Sequence, residues 1–388
     1  MTALWRSPFR PFFLLGALYG PILLLGWIPG YTGLQPASWA TASPLPSLFH
    51  QHEMVFGFAS AIIFGFIMTA LPSWAGTEEI TGSRLALLAL SWVLGRLAVA
   101  LSPMLPLPLV ALADLSFPLL FTLLVAPGLV NARYQITLGV VVITAGFLVG
   151  NLCYYLGILQ QDYQLWQQGL RIGLYAMIFH CSVVVGYLAP IFTENALLEN
   201  GRPAPVGHRP TLEWLSALSI LALAIADITE VNAAATAGLA LLSCLLHGVR
   251  LGRWHSLGVI DTPIVWVLHL GYAWLLVSLL LRSLDSLGLA VGTESWVHAF
   301  TVGGFGLMSL GLMTRVTLRH TGRPLRPRPA MVAAFACIAV AALVRVALPG
   351  TAGRQELLLL SAMLWLIPYV AYLALYGRML VTPSLPAR

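Results

Sequence analysis

The chain has 388 residues, of which 59% are hydrophobic and only 9% charged, with a mean hydropathy of +0.87. Twenty basic and 14 acidic side chains cannot cover a water-soluble globule of this size, so most of its surface faces lipid. Every basic residue is Arg, and the formal charge of +6 reads as loop asymmetry across a membrane, which excludes nucleic acid as a partner.

An apolar run of about 20 residues, rising about 1.5 Å per residue, crosses a hydrocarbon core of about 30 Å. That yardstick predicts twelve spans, at 11–28, 48–74, 84–103, 106–128, 134–158, 168–192, 211–228, 231–250, 262–282, 294–315, 329–348 and 355–380. The fold class is therefore all-α, a polytopic membrane bundle of about 12 helices forming one transmembrane domain over 1–388 with no soluble domain. The connections 29–47 and 193–210 are rich in Pro, Gly and polar residues and are predicted as exposed loops. The first apolar run lacks a small-residue cleavage pattern behind it and is read as the first helix. An even number of spans places both termini on one side. All but five of the 20 Arg fall on that side, so the termini are expected in the cytoplasm. The five exceptions, Arg96, Arg171, Arg282, Arg345 and Arg354, need partners.

Ionisable groups within spans are costly and mark candidate sites. The second span opens on His50, His52 and Glu53. On a continuous helix the two imidazoles diverge by about 200°, whereas His50 and Glu53 share a face. One imidazole is thus expected to serve a haem, and the other, with Glu53, a second metal or a proton path. Arg96 in span 3 and Asp114 in span 4 lie at equal depth and are expected to form an ion pair. Arg96 is also the candidate partner of a haem propionate. His180 lies in the middle of span 6 beside Cys181, whose sulfur could serve copper. Cys153, Cys181, Cys244 and Cys337 otherwise show no paired spacing. His247 and His269 are expected to meet in the inner half of spans 8 and 9. In span 10, His298 lies about 7 Å below the outer face, level with His52 at about 6 Å. Two neutral imidazoles at one depth on different helices are what bis-histidine ligation of a haem requires. Gly303 and Gly304, with Gly306 and Gly311, would leave a flat wall for the macrocycle.

Four stretches resemble one family: SPFRPFFLLGALYG at the N-terminus, FHQHEMVFGFASAIIFGFIMTALPSWAG in span 2, APIFTENAL after span 6, and HAFTVGGFGLMSLGLMTRVTLRHTGRPL across span 10. The resemblance is to the NnrS family, twelve-span bacterial inner-membrane proteins linked to nitric oxide metabolism and reported to contain haem and copper. It covers essentially the whole chain. Departures occur at Tyr187 and Glu194, where many members carry basic residues. The resemblance implies a multi-pass inner-membrane protein with haem b and copper or another second metal. His50, His52, Glu53 and His298 become the metal-site residues, joined by His180. The implied activity is binding and detoxification of nitric oxide by reduction to nitrous oxide, a reductase-like oxidoreductase fed by quinol or a cytochrome. Glu53 is its expected acid, since two NO need two electrons and two protons. The same residues would also suit a haem-based sensor or haem/copper handling protein without turnover, and twelve spans without metal would suit a secondary transporter.

Overall fold

The structure, a computed structural model, describes residues 2–31, 46–130, 135–202, 204–289, 292–347 and 354–386. Among these residues every regular element is helical. Twelve helices are long and apolar enough to cross a membrane: α1 (Phe9–Pro29), α2 (Phe49–Ala75), α3 (Gly82–Ala100), α4 (Leu107–Leu129), α5 (Thr137–Gln160), α6 (Tyr163–Glu199), α7 (Pro210–Ile228), α8 (Ala233–Gly252), α9 (Pro263–Ser286), α10 (Glu294–His320), α11 (Pro329–Ala347) and α12 (Gln355–Val381). Each overlaps the predicted span of the same rank. In lipid an uninterrupted apolar run can satisfy its own backbone only as a helix.

The ends differ more than the centres. Residues 193–199, expected in a loop, continue α6 to a length of 37 residues. Their sequence, TENALLE, is dominated by good helix formers, and neither Gly nor Pro interrupts it before Gly201. The connection to α7 shrinks to 200–209. Of the expected 29–47 loop, residues 32–45 lie outside the described residues, as do Arg133 and Arg388.

Contacts divide the chain into two compact units. The first comprises Met1–Met177, His320–Gly322 and Tyr376–Arg388. Its core is aromatic: Phe64 of α2 stacks on Phe121 of α4 at 4.2 Å, and Phe12 of α1 on Phe117 of α4 at 5.4 Å. Helices α2 and α4 are equally apolar, yet 89% of the apolar stretch of α2 is buried against 39% for α4. Helix α4 instead turns Leu109, Leu112, Leu119 and Leu123 outward, as a lipid-facing helix does. Arg10, from the N-terminal motif, is buried and caps the end of α12. Its Nη1 donates to the carbonyls of Met379 and Leu380 at 3.0 Å and of Thr382 at 2.7 Å, and its Nη2 to Ser384 Oγ at 2.9 Å. Terminal helix carbonyls lack intrahelical donors, and a guanidinium supplies several at once.

The second unit comprises Ile178–Arg319 and Arg323–Leu375. In it α9 and α10 approach closely at glycines. A Cβ on Gly271 would meet Met308, and one on Gly311 would meet Val267. The flat wall expected at Gly303 and Gly304 is filled from within the protein: Trp274 lies over Gly303, and Phe300 with the Gly271 carbonyl lies against Gly304. These two glycines serve helix packing rather than leaving a slot. Two of the arginines that needed partners have them here. Arg282 pairs with Asp227 at 2.5 Å and Asp285 at 2.9 Å, and Arg345 with Glu294 at 3.5 Å.

Candidate functional site

Three spans each contain a π-helical stretch: Glu53–Ala59 in α2, Cys181–Val185 in α6 and Ala299–Phe305 in α10. Each stretch begins at the residue after an intramembrane histidine, namely His52, His180 and His298. The same three helices are the most buried of the twelve, at 89%, 78% and 78% of their apolar stretches, with no other above 61%. A π turn widens the helix and concentrates at functional positions, because it redirects side chains and frees backbone carbonyls. Side chains of other helices take up such carbonyls here. Trp92 Nε1 donates to Gly57 in α2 at 3.1 Å, and Arg250 Nη1 to Ser182 in α6 at 2.5 Å.

In the first unit the π turn of α2 opens a closed polar network built by five helices. Glu53 is fully buried, and its Oε1 accepts from Arg96 Nη1 at 2.7 Å and bonds His52 Nδ1 at 2.7 Å. The Tyr19 hydroxyl of α1 donates to its Oε2. The other guanidinium nitrogen of Arg96 holds Asp114 Oδ1, so the pair expected from equal depth is formed, with Glu53 as a second acid. Asp114 Oδ2 accepts from Asn151 Nδ2 at 2.9 Å and Tyr155 at 3.0 Å, both on α5. The loop closes at His52, whose Nε2 bonds Asn151 Oδ1 at 2.9 Å and lies 3.3 Å from Asp114 Oδ2. A Cβ on Gly57 would fall 2.8 Å from the Arg96 guanidinium and 2.9 Å from the Tyr19 ring, so only Gly leaves room for them.

This geometry alters several expectations. Both ring nitrogens of His52 face oxygen acceptors, leaving no lone pair directed at a metal. His50 does not join Glu53: its ring stacks on Trp27 of α1 at 4.4 Å. Arg96 is enclosed between two carboxylates rather than turned toward a propionate. Tyr19, Trp92, Asn151 and Tyr155 complete the network without having been singled out by sequence. Their one signal was polarity inside an apolar run, clearest for the lone amide of Asn151.

In the second unit His247 and His269 are both buried but do not bond each other; each reaches α6. His247 Nδ1 donates to the Ser243 carbonyl at 2.8 Å, and its Nε2 accepts from Ser182 at 2.8 Å. His269 lies between Thr193 and Ser256, at 2.8 Å from each. His180 is buried in α6. The Nδ1 of His298 donates to the Glu294 carbonyl at 2.6 Å, which places the lone pair of the neutral ring on Nε2. A metal-ligating histidine is commonly oriented in this way. Among the described residues, no three His, Cys, Asp or Glu side chains converge as a metal-holding group.

Comparison with known proteins agrees with the resemblance read from the motifs. A protein-family profile described as NnrS protein matches residues 3–384. No curated protein matches the chain.

Proposed function

The chain belongs to the NnrS family, and from that premise we propose that it is a haem protein of the bacterial inner membrane that binds nitric oxide and reduces it to nitrous oxide. Membership fits a membrane protein connected with nitric oxide. The observation that carries the finer reading is the coincidence of three intramembrane histidines with the three π turns, on the three most buried helices. Of these, His298 best fits an axial ligand, since its Nδ1 donates to the Glu294 carbonyl, the kind of contact that orients a metal-ligating histidine. His180 is the second candidate. His52 is assigned elsewhere, because both its nitrogens are engaged. The reading carries haem alone, since the His50 and Glu53 face expected to hold a second metal is divided between Trp27 and Arg96.

Ferrous haem, when bound, would supply NO binding and electrons. The chain's own contribution is protons: two NO, two electrons and two protons give nitrous oxide and water. In this reading Glu53, held as a carboxylate by Arg96, relays protons in the first unit rather than storing one. Tyr19 donates to its Oε2 and His52 bonds its Oε1, so a proton can pass among the three without any side chain leaving its place.

The test is the spectrum of detergent-solubilised protein from a haem-replete host. A Soret band that shifts when NO is added to the reduced protein, with nitrous oxide appearing in the headspace, is the expected result. Absence of the band, or a bound haem that leaves NO unconsumed, would contradict the reading.

A further inference from the structure

The C-terminal ends of α6 and α8, with the connection from α8 to α9, line an open pocket of about 690 Å³ within the second unit. That volume lies in the range of small-molecule sites, about 300–1,000 Å³. Gly248 and Gly252, one turn apart on α8, form a flat face where an added Cβ would meet no atom within 4 Å. Leu197 and Leu251 supply apolar walls, and Arg202, His255 and Ser256 polar ones. Leu257, at the cavity, and nearby Ile260 are 86% and 69% exposed. These exposed side chains, in the connection between two spans, give the site an apolar rim.

The polar wall discriminates among occupants. Arg202 is already paired with Asp261 at 3.4 Å, which disfavours an anionic headgroup. Ser256 offers a directional acceptor, as the chain of hydrogen bonds behind it reveals. Thr193 Oγ1 donates to the Ala189 carbonyl at 2.6 Å, so it accepts from His269 Nε2. The neutral ring of His269 therefore accepts at Nδ1 from Ser256. With its proton committed inward, Ser256 turns lone pairs toward the cavity, where they can accept from a hydroxyl.

A flat, neutral ring bearing hydroxyls and an apolar tail meets these requirements, and we propose that the cavity binds the headgroup of a membrane hydroquinone. Ser256 accepts one ring hydroxyl, and His269 stands behind it to receive the proton on oxidation. As a consequence that rests on the NO-reduction reading, one hydroquinone and two NO give one quinone, one nitrous oxide and one water. The two electrons and two protons lost by the ring are those the two NO take up. Binding itself does not depend on that reading.

The experiment is photolabelling of the solubilised full chain with a short-chain azidoquinone, mapped by peptide mass spectrometry. Label is expected within 197–204 or 248–258, displaced by excess short-chain hydroquinone and not by phosphatidylglycerol. Gly252→Leu projects into open space, so it should preserve gel-filtration behaviour and lower labelling at least about tenfold. Ser256→Ala should weaken hydroquinone competition more than quinone competition. Label elsewhere, displacement by phosphatidylglycerol, or wild-type labelling in Gly252→Leu overturns the proposal. Protein without a Soret band that still labels here supports this site while refuting NO reduction by haem. Protein that consumes NO yet fails to label here refutes only the site.

Discussion

Arg96 shows how much a single buried charge can decide. It is 5% exposed and lies between Glu53 and Asp114, so its removal leaves two carboxylates uncompensated in a low-dielectric interior. Breaking a buried pair costs about 3–5 kcal/mol, so Arg96→Met should lower the thermal unfolding midpoint in detergent by several degrees, on the order of 5–10 °C. Asp114→Asn should cost less, because the amide oxygen can still accept from Arg96. Equal midpoints for wild type and Arg96→Met would show that the network does not support the fold. The Arg96 and Asp114 pair was legible in sequence, since opposite charges at one depth on consecutive spans have few other partners. The place of His52 was not. Ideal helix geometry sends neighbouring side chains about 100° apart, and only burial beside a π turn puts His52 and Glu53 in contact. Asn151, the residue that closes the loop, follows no spacing rule.

Among the elements, helix existence was written in the apolar runs, whereas the π turns were not. A π turn is set by what packs against it: Trp92 and Arg250 supply the donors that make widened turns in α2 and α6 affordable, and both come from distant sequence. The end of α12 depends on a distant residue in the same way. Arg10→Ala should leave the carbonyls of Met379, Leu380 and Thr382 without donors, and hydrogen exchange over 376–386 should rise while the remainder stays protected. Unchanged exchange there would remove Arg10 from this role. In the connection before α7, partial burial and the nearby Arg250 guanidinium lower the pKa of His208 below its ordinary 6.5. Folding therefore favours the neutral ring, and the associated stability is present above pH 6.5 and lost as pH falls below it. His208 is 48% exposed, so the effect is small. Against His208→Gln, wild type should lose melting temperature on acidification below pH 6.5 and match the variant's pH trend above it; parallel curves throughout would contradict this.

At the scale of the whole molecule, hydropathy gave the number and order of the spans, while function depended on contacts that hydropathy does not encode. The Arg asymmetry predicts that a C-terminal alkaline phosphatase fusion is inactive and a C-terminal fluorescent protein fusion is bright; the reverse pattern would invert the topology. The wall of glycines in span 10 was visible in sequence, but its use was not, because Trp274 fills it from α9. The proposed function divides the histidines that sequence ranked alike: His298 would ligate haem, while His52 belongs to a closed network of protein hydrogen bonds. The most direct measurement compares reduced-minus-oxidised spectra of His298→Ala and His52→Ala at matched protein content. His298→Ala should lose or shift the Soret band and His52→Ala should retain it at wild-type position; loss in His52→Ala with an unchanged band in His298→Ala would contradict the assignment.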